Sequence, residues 1–85
     1  MRGVYSRAHK LSVNNKSLLK ESVTCGCFYC IRLFEYGDII ECIGGISDDT
    51  ALCPFCEIDS VLPESELYQL NELFLEEMYN VWFDN

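Results

Sequence analysis

Apolar residues in this chain come in short groups, and their spacing changes along its length. The clearest helical signal lies near the end. Phe74, Met78, Val81 and Trp82 recur at steps of four, three and one, with Leu75, Tyr79 and Trp82 as a stripe beside them. That pattern predicts an amphipathic helix over 71–83 with a wide apolar face. Asn71 is a natural N-cap, and Glu72 stands at the positive end of the helix dipole. Upstream, Ser12 can cap a short helix running to about Ser22, with Leu18 and Leu19 as its apolar contribution. Such a helix is too short to stand alone and must lean on its neighbours. The middle of the chain reads as strands and turns. Ile31 to Phe34 is a short strand, and Glu35-Tyr36-Gly37-Asp38 is a turn. Ile39 to Ile43 is a second strand, rich in β-branched residues. Gly44-Gly45 and Ser47-Asp48-Asp49 form the tip of a hairpin whose return is Thr50 to Leu52. Ile58 to Leu62 continues as strand or turn, and Pro63 punctuates. Residues 1–10 show no periodicity and are expected to be a flexible arm.

Length changes this picture more than composition does. Eighty-five residues allow one small domain, here residues 11–85. A chain of this size buries only about 60% of the surface its unfolded form exposes, so a staple is needed. With 49% hydrophobic residues it is too apolar for a disordered tail. No run reaches the roughly 18 apolar residues of a membrane span. The first twenty residues lack the apolar centre of a signal peptide, so a cytoplasmic protein is expected.

The staple is visible in the cysteines: Cys25, Cys27, Cys30, Cys42, Cys53 and Cys56. In a reducing compartment disulfides are disfavoured. Cys27-Phe-Tyr-Cys30 and Cys53-Pro-Phe-Cys56 are two CxxC pairs separated by 22 residues. Each pair can form a tight turn aiming both sulfurs at one ion, and folding back joins the turns into a tetrahedral four-thiolate site. That donor set suits one structural Zn²⁺. Cys53-Pro-Phe-Cys56 also reads like a glutaredoxin-type dithiol, but only 29 residues follow it and Cys27 and Cys30 would then have no role. Cys25 could replace Cys27 as a ligand, although two residues between ligands is the commoner spacing. Cys42 reads as a small buried hydrophobe. His9, sixteen residues before the first cysteine, reads as a packing or capping residue. Asp59 is expected to accept backbone N–H bonds after the second knuckle.

Charge divides the chain sharply. The net charge is −8, yet residues 1–34 hold all six bases and one acid, a net +5, while residues 35–85 carry −13 with no base. The split reads as a basic arm and helix packed over an acidic body, and the acidic surface favours a basic protein partner over nucleic acid, with self-association into a homodimer also open. In the nucleic-acid alternative, Lys16, Lys20 and Arg32 would contact phosphate. Tyr79, Trp82 and Phe83 crowd the C-terminus and read either as core or as an exposed partner-binding patch. Four cysteinates would close a zinc shell, and no nucleophile–base pairing, P-loop or HExxH motif is present, so an enzyme is not expected.

Several blocks together resemble a family of short bacterial proteins known only as "cytoplasmic protein". They are Ser12 with Leu18-Leu19, Cys25-Gly26-Cys27-Phe28-Tyr29-Cys30, Phe34, Ile39–Glu41, Thr50-Ala51-Leu52-Cys53-Pro54-Phe55-Cys56, Ile58-Asp59-Ser60-Val61, and Phe74-Leu75-Glu76-Glu77-Met78 with Trp82-Phe83. The resemblance spans roughly residues 9–83 and implies a zinc-ribbon or treble-clef protein without an assigned activity. It also implies that the helix over 71–83 is separate from a loop at 63–70. Two positions depart from the family. Glu57 stands where Gly is usual after the second knuckle, at a cost of about 1 kcal/mol if that backbone is left-handed. Cys42 stands where Trp is usual. The expected architecture is therefore α+β: a small zinc-ribbon-like β-hairpin carrying two CxxC knuckles, flanked by a short N-terminal helix and a C-terminal amphipathic helix. The expected function is a noncatalytic interaction module.

Overall fold

The structure, a computed structural model, describes residues 2–84 and is α+β. Helix α1 (Arg2–Lys10) comes first, followed by α2 (Lys16–Ser22), strands β1 (Thr24–Cys27) and β2 (Arg32–Glu35), and a 3-10 turn at Tyr36–Asp38. Strands β3 (Cys42–Ile43), β4 (Thr50–Ala51) and β5 (Val61–Pro63) lead to α3 (Glu72–Trp82).

Strands β2, β1 and β5 form one antiparallel sheet in that order, with β1 in the middle. Cys25 pairs with Phe34 on one side and Pro63 on the other, and Cys27 with Arg32 and Val61. Pro63 closes an edge strand, where its missing N–H costs no central ladder bond. Strand side chains alternate between faces, and the core divides accordingly. Cys25, Cys27, Phe34 and Val61 join Leu19 of α2 with Ala51 and Cys53 on one face. Phe28 and Leu62 join Ala8 of α1 and Phe74, Leu75 and Met78 of α3 in the cluster on the other. The sheet is thus the middle of three layers. Gly26 makes the second face possible: a Cβ there would lie 3.1 Å from Leu70 Cδ1 and from Leu75 Cδ1. The absence of a side chain lets the C-terminal segment approach the central strand.

The structure corrects several expectations. Residues 2–10 are helical, not a loose arm; Met1 lies outside the described residues. Val4, Tyr5, Ala8 and Leu11 share one helical face and pack into the α3-side core. Arg7, His9 and Lys10 occupy the last turn, where cations suit the dipole. Ser12 does not cap the following helix. Its hydroxyl donates to the His9 carbonyl at 2.6 Å and closes α1 instead. The strand expected at Ile39–Ile43 shrinks to Cys42–Ile43, paired with Thr50–Ala51 in a separate two-stranded sheet. The first strand of the main sheet lies before the knuckle, at Thr24–Cys27, and the one after it begins at Arg32. Helix α3 behaves as its pattern predicts, with Asn71 Oδ1 accepting from the Phe74 N–H at 2.9 Å. The loop before it is held by Tyr68, whose ring stacks on Phe74 at 4.5 Å and whose hydroxyl donates to the Pro63 carbonyl.

Asn15 ties the layers together. It is fully buried, donates to the carbonyls of Leu11 and Val61, and accepts from the Ala51 N–H. Among the described residues no buried side-chain nitrogen or oxygen lacks a partner, as a stable interior requires.

Candidate metal centre

The first CxxC pair sits in the turn between β1 and β2, and the second lies between β4 and β5. Each turn closes in the same way. The Ile31 N–H donates to the Cys27 carbonyl at 3.0 Å, and the Glu57 N–H to the Cys53 carbonyl at 2.9 Å. The residue after each pair is left-handed, with φ of 60° at Ile31 and 65° at Glu57. The backbone N–H groups inside each turn point at the leading sulfur. Tyr29 N and Cys30 N lie 3.3 and 3.5 Å from Cys27 Sγ, and Phe55 N lies 3.4 Å from Cys53 Sγ. Donors so placed stabilise a thiolate.

The two turns face each other. Cys27 Sγ is 3.6 Å from Cys56 Sγ, and Cys30 Sγ is 3.6 Å from Cys53 Sγ. All four sulfurs lie within 4.8 Å of one another. A tetrahedron of sulfurs around zinc at about 2.3 Å has edges of about 3.8 Å, so the quartet has the dimensions of a metal site. Cys27 and Cys53 are buried, while Cys30 and Cys56 are half-exposed. Ser60, itself buried, places Oγ 3.0 Å from Cys27 Sγ and accepts the Phe28 N–H through its carbonyl. These four cysteines could hold a metal ion.

Thiols packed this closely resist ionising together. Burial, followed by the neighbouring Cys27 charge, pushes the Cys30 thiol well above its ordinary value. Burial, reinforced by the Cys27 sulfur, pushes Cys56 up to about 11 although the Ile58 N–H opposes it. Burial is also the largest influence at Cys53 and raises it. There the N–H groups of Cys56 and Phe55 and the thiols of Cys30 and Cys56 together outweigh it, and the net direction is down. A cation held among the four sulfurs would supply the field that favours their thiolate forms.

The other candidates lie elsewhere. Cys25 is fully buried in the α2-side core, its Sγ 3.9 Å from the Val23 carbonyl oxygen, and it does not join the quartet. Cys42 packs half-buried against the same core. The His9 ring packs at a tilt against Trp82, with ring centroids 4.2 Å apart, and also meets Phe28. Asp59 is exposed. The polar neighbour of the cysteine quartet is Ser60, which sequence reasoning missed because a serine four residues past a knuckle carries no signal of its own. Lys16 and Lys20 border a surface depression that also contains Asp48 and Asp49. The Arg32 guanidinium lies 4.6 Å above the Phe55 ring, beside the second knuckle. Tyr79 and Phe83 contact each other and Tyr29, whereas Trp82 leans on α1 through His9. No family model, curated protein or solved structure matched this chain. Among the described residues, no helix is long and apolar enough to cross a membrane.

Proposed function

We propose that this chain is a noncatalytic module of zinc-ribbon or treble-clef type, held together by one structural Zn²⁺ on Cys27, Cys30, Cys53 and Cys56, and that it binds a protein partner. The observation behind it is the set of four converging sulfurs. Four thiolates complete a tetrahedral shell and leave no position for substrate or water, as in structural rather than catalytic zinc sites. The resemblance to the short cytoplasmic family points the same way. A net charge of −8, with exposed Tyr29, Trp82 and Phe83, favours a basic partner. The nucleic-acid alternative receives less support: Lys16 and Lys20 share their depression with two aspartates, and Arg32 is engaged by Phe55.

Elemental analysis of freshly isolated protein should find about one zinc per chain. Iron in its place would reassign the site to electron transfer, since four thiolates also suit that metal. Cys30→Ser and Cys53→Ser should each unfold the chain, whereas Cys42→Ser should leave it folded. Equal damage from all three would reject the assignment of ligands. Native mass spectrometry with cross-linking should capture a heteromeric complex. No captured partner together with no self-association across salt and concentration would reject the interaction reading.

A further inference from the structure

Tyr29 sits at the tip of the first knuckle, and its N–H bond to Cys27 Sγ fixes the base of its side chain. Its ring meets Phe83 edge-on at 4.9 Å and Tyr79 at 5.8 Å, and Tyr79 and Phe83 lie 5.6 Å apart. Tyr29 and Phe83 are each 41% exposed. Beside this cluster is a dent of about 380 Å³ lined by Tyr29, Ile31, Glu76, Tyr79 and Asn80. Its carboxylate is Glu76, and α3 adds Glu72 and Glu77 without a single base. No base occurs anywhere after Arg32, whose guanidinium already lies over Phe55 at the second knuckle.

We infer that this dent receives the cationic side chain, arginine or lysine, of a basic segment of a protein partner. The inference rests on the protein-partner reading above and specifies that partner's chemistry. Aromatic rings present negative faces that attract a cation, and a carboxylate at the rim completes its charge. An acidic segment would meet the Glu76 carboxylate at the rim. A purely apolar one would cover Glu76 without pairing it, which is costly. Charge complementarity therefore selects the occupant, and the aromatic walls give the cation a definite seat instead of a diffuse acidic field.

The test titrates the full zinc-loaded chain with the capped tripeptide Gly-Arg-Gly and with its citrulline counterpart, following backbone amides by NMR. The arginine peptide should shift Tyr29, Glu76, Tyr79 and Asn80, and the neutral citrulline peptide should bind at least about fivefold more weakly. Glu76→Gln and Tyr79→Leu should each weaken the arginine peptide about threefold to fivefold. Glu57→Gln, an equal charge change outside the dent, should leave binding unchanged. Glu76 is exposed, so the Glu76→Gln and Glu57→Gln pair decides the matter even if Tyr79→Leu fails to fold. Equal binding of citrulline, equal loss from Glu57→Gln and Glu76→Gln, or no shifts at saturating peptide would overturn the inference. If those results come from a chain that holds zinc and still captures a partner, the dent alone is rejected. Failure of zinc loading or of partner capture rejects the underlying reading instead.

Discussion

At the scale of single residues, backbone strain marks the knuckles. Ile31 and Glu57 both adopt left-handed φ, a conformation that costs a residue with a side chain about 1–2 kcal/mol relative to Gly. Glu57 is exposed, so replacing it loses no packing. Glu57→Gly should raise stability by about 1 kcal/mol, read by denaturant unfolding at fixed free zinc. An unchanged midpoint would mean that the site tolerates this backbone without strain. Ile31 gives a less clean test because its side chain packs against the α3-side core. Cys25 makes a second prediction. Burial, aided by the negative charges of Glu64 and Asp38, pushes its thiol up to about 12. A thiol raised in the folded state stabilises fully below its unfolded value, and that contribution is lost as pH rises from there through about 12. Cys25 should stay unalkylated at pH 8 in native protein, and Cys25→Ala should flatten the fall in stability above pH 9. Rapid native alkylation of Cys25 would contradict its burial.

At the scale of elements, legibility followed length and locality. Helix α3 was readable because eleven residues give three turns of apolar periodicity and a capping Asn71 whose bond forms as expected. The two cysteine turns were readable because a CxxC spacing already holds the geometry of the knuckle. Helix α1 was not. Its nine residues are too few for a convincing pattern, and its helicity depends on burying Ala8 and Tyr5 against α3. The distinction is measurable. A loose arm could be removed without consequence, whereas deleting residues 1–10 strips Val4, Tyr5, Ala8 and His9 from the α3-side core. Truncation should cost about 3 kcal/mol and lower the melting midpoint of the zinc-loaded protein by more than ten degrees. No change would restore the arm. Strand β1 was missed for a related reason. Thr24–Cys27 has little strand character by composition, and pairing on both edges makes it the central strand.

For the whole molecule, two thin cores lie on opposite faces of a three-stranded sheet. The cysteine quartet joins segments 23 to 29 residues apart and borders the α2-side core. Neither core is large, so the proposed zinc has a large share of the stability, on the order of 10 kcal/mol in domains of this kind. A tight chelator should therefore unfold the chain, and circular dichroism should show loss of both helix and sheet. Acidification should do the same, because every ligand must shed a proton to bind metal. A metal-free chain that keeps its native spectrum would show that the cores suffice alone.

The sequence by itself determined the chemistry: the four sulfurs, their pairing in two turns, and the last helix. Each is written in residues close together along the chain, where spacing alone sets geometry. Only the tertiary structure decided that the opening residues form a helix, that Thr24–Cys27 is the sheet's centre, that Asn15 joins Leu11, Ala51 and Val61, and that Tyr29 comes to rest beside Tyr79 and Phe83. Those features depend on contacts between distant positions, which become favourable only once the whole chain has closed around them.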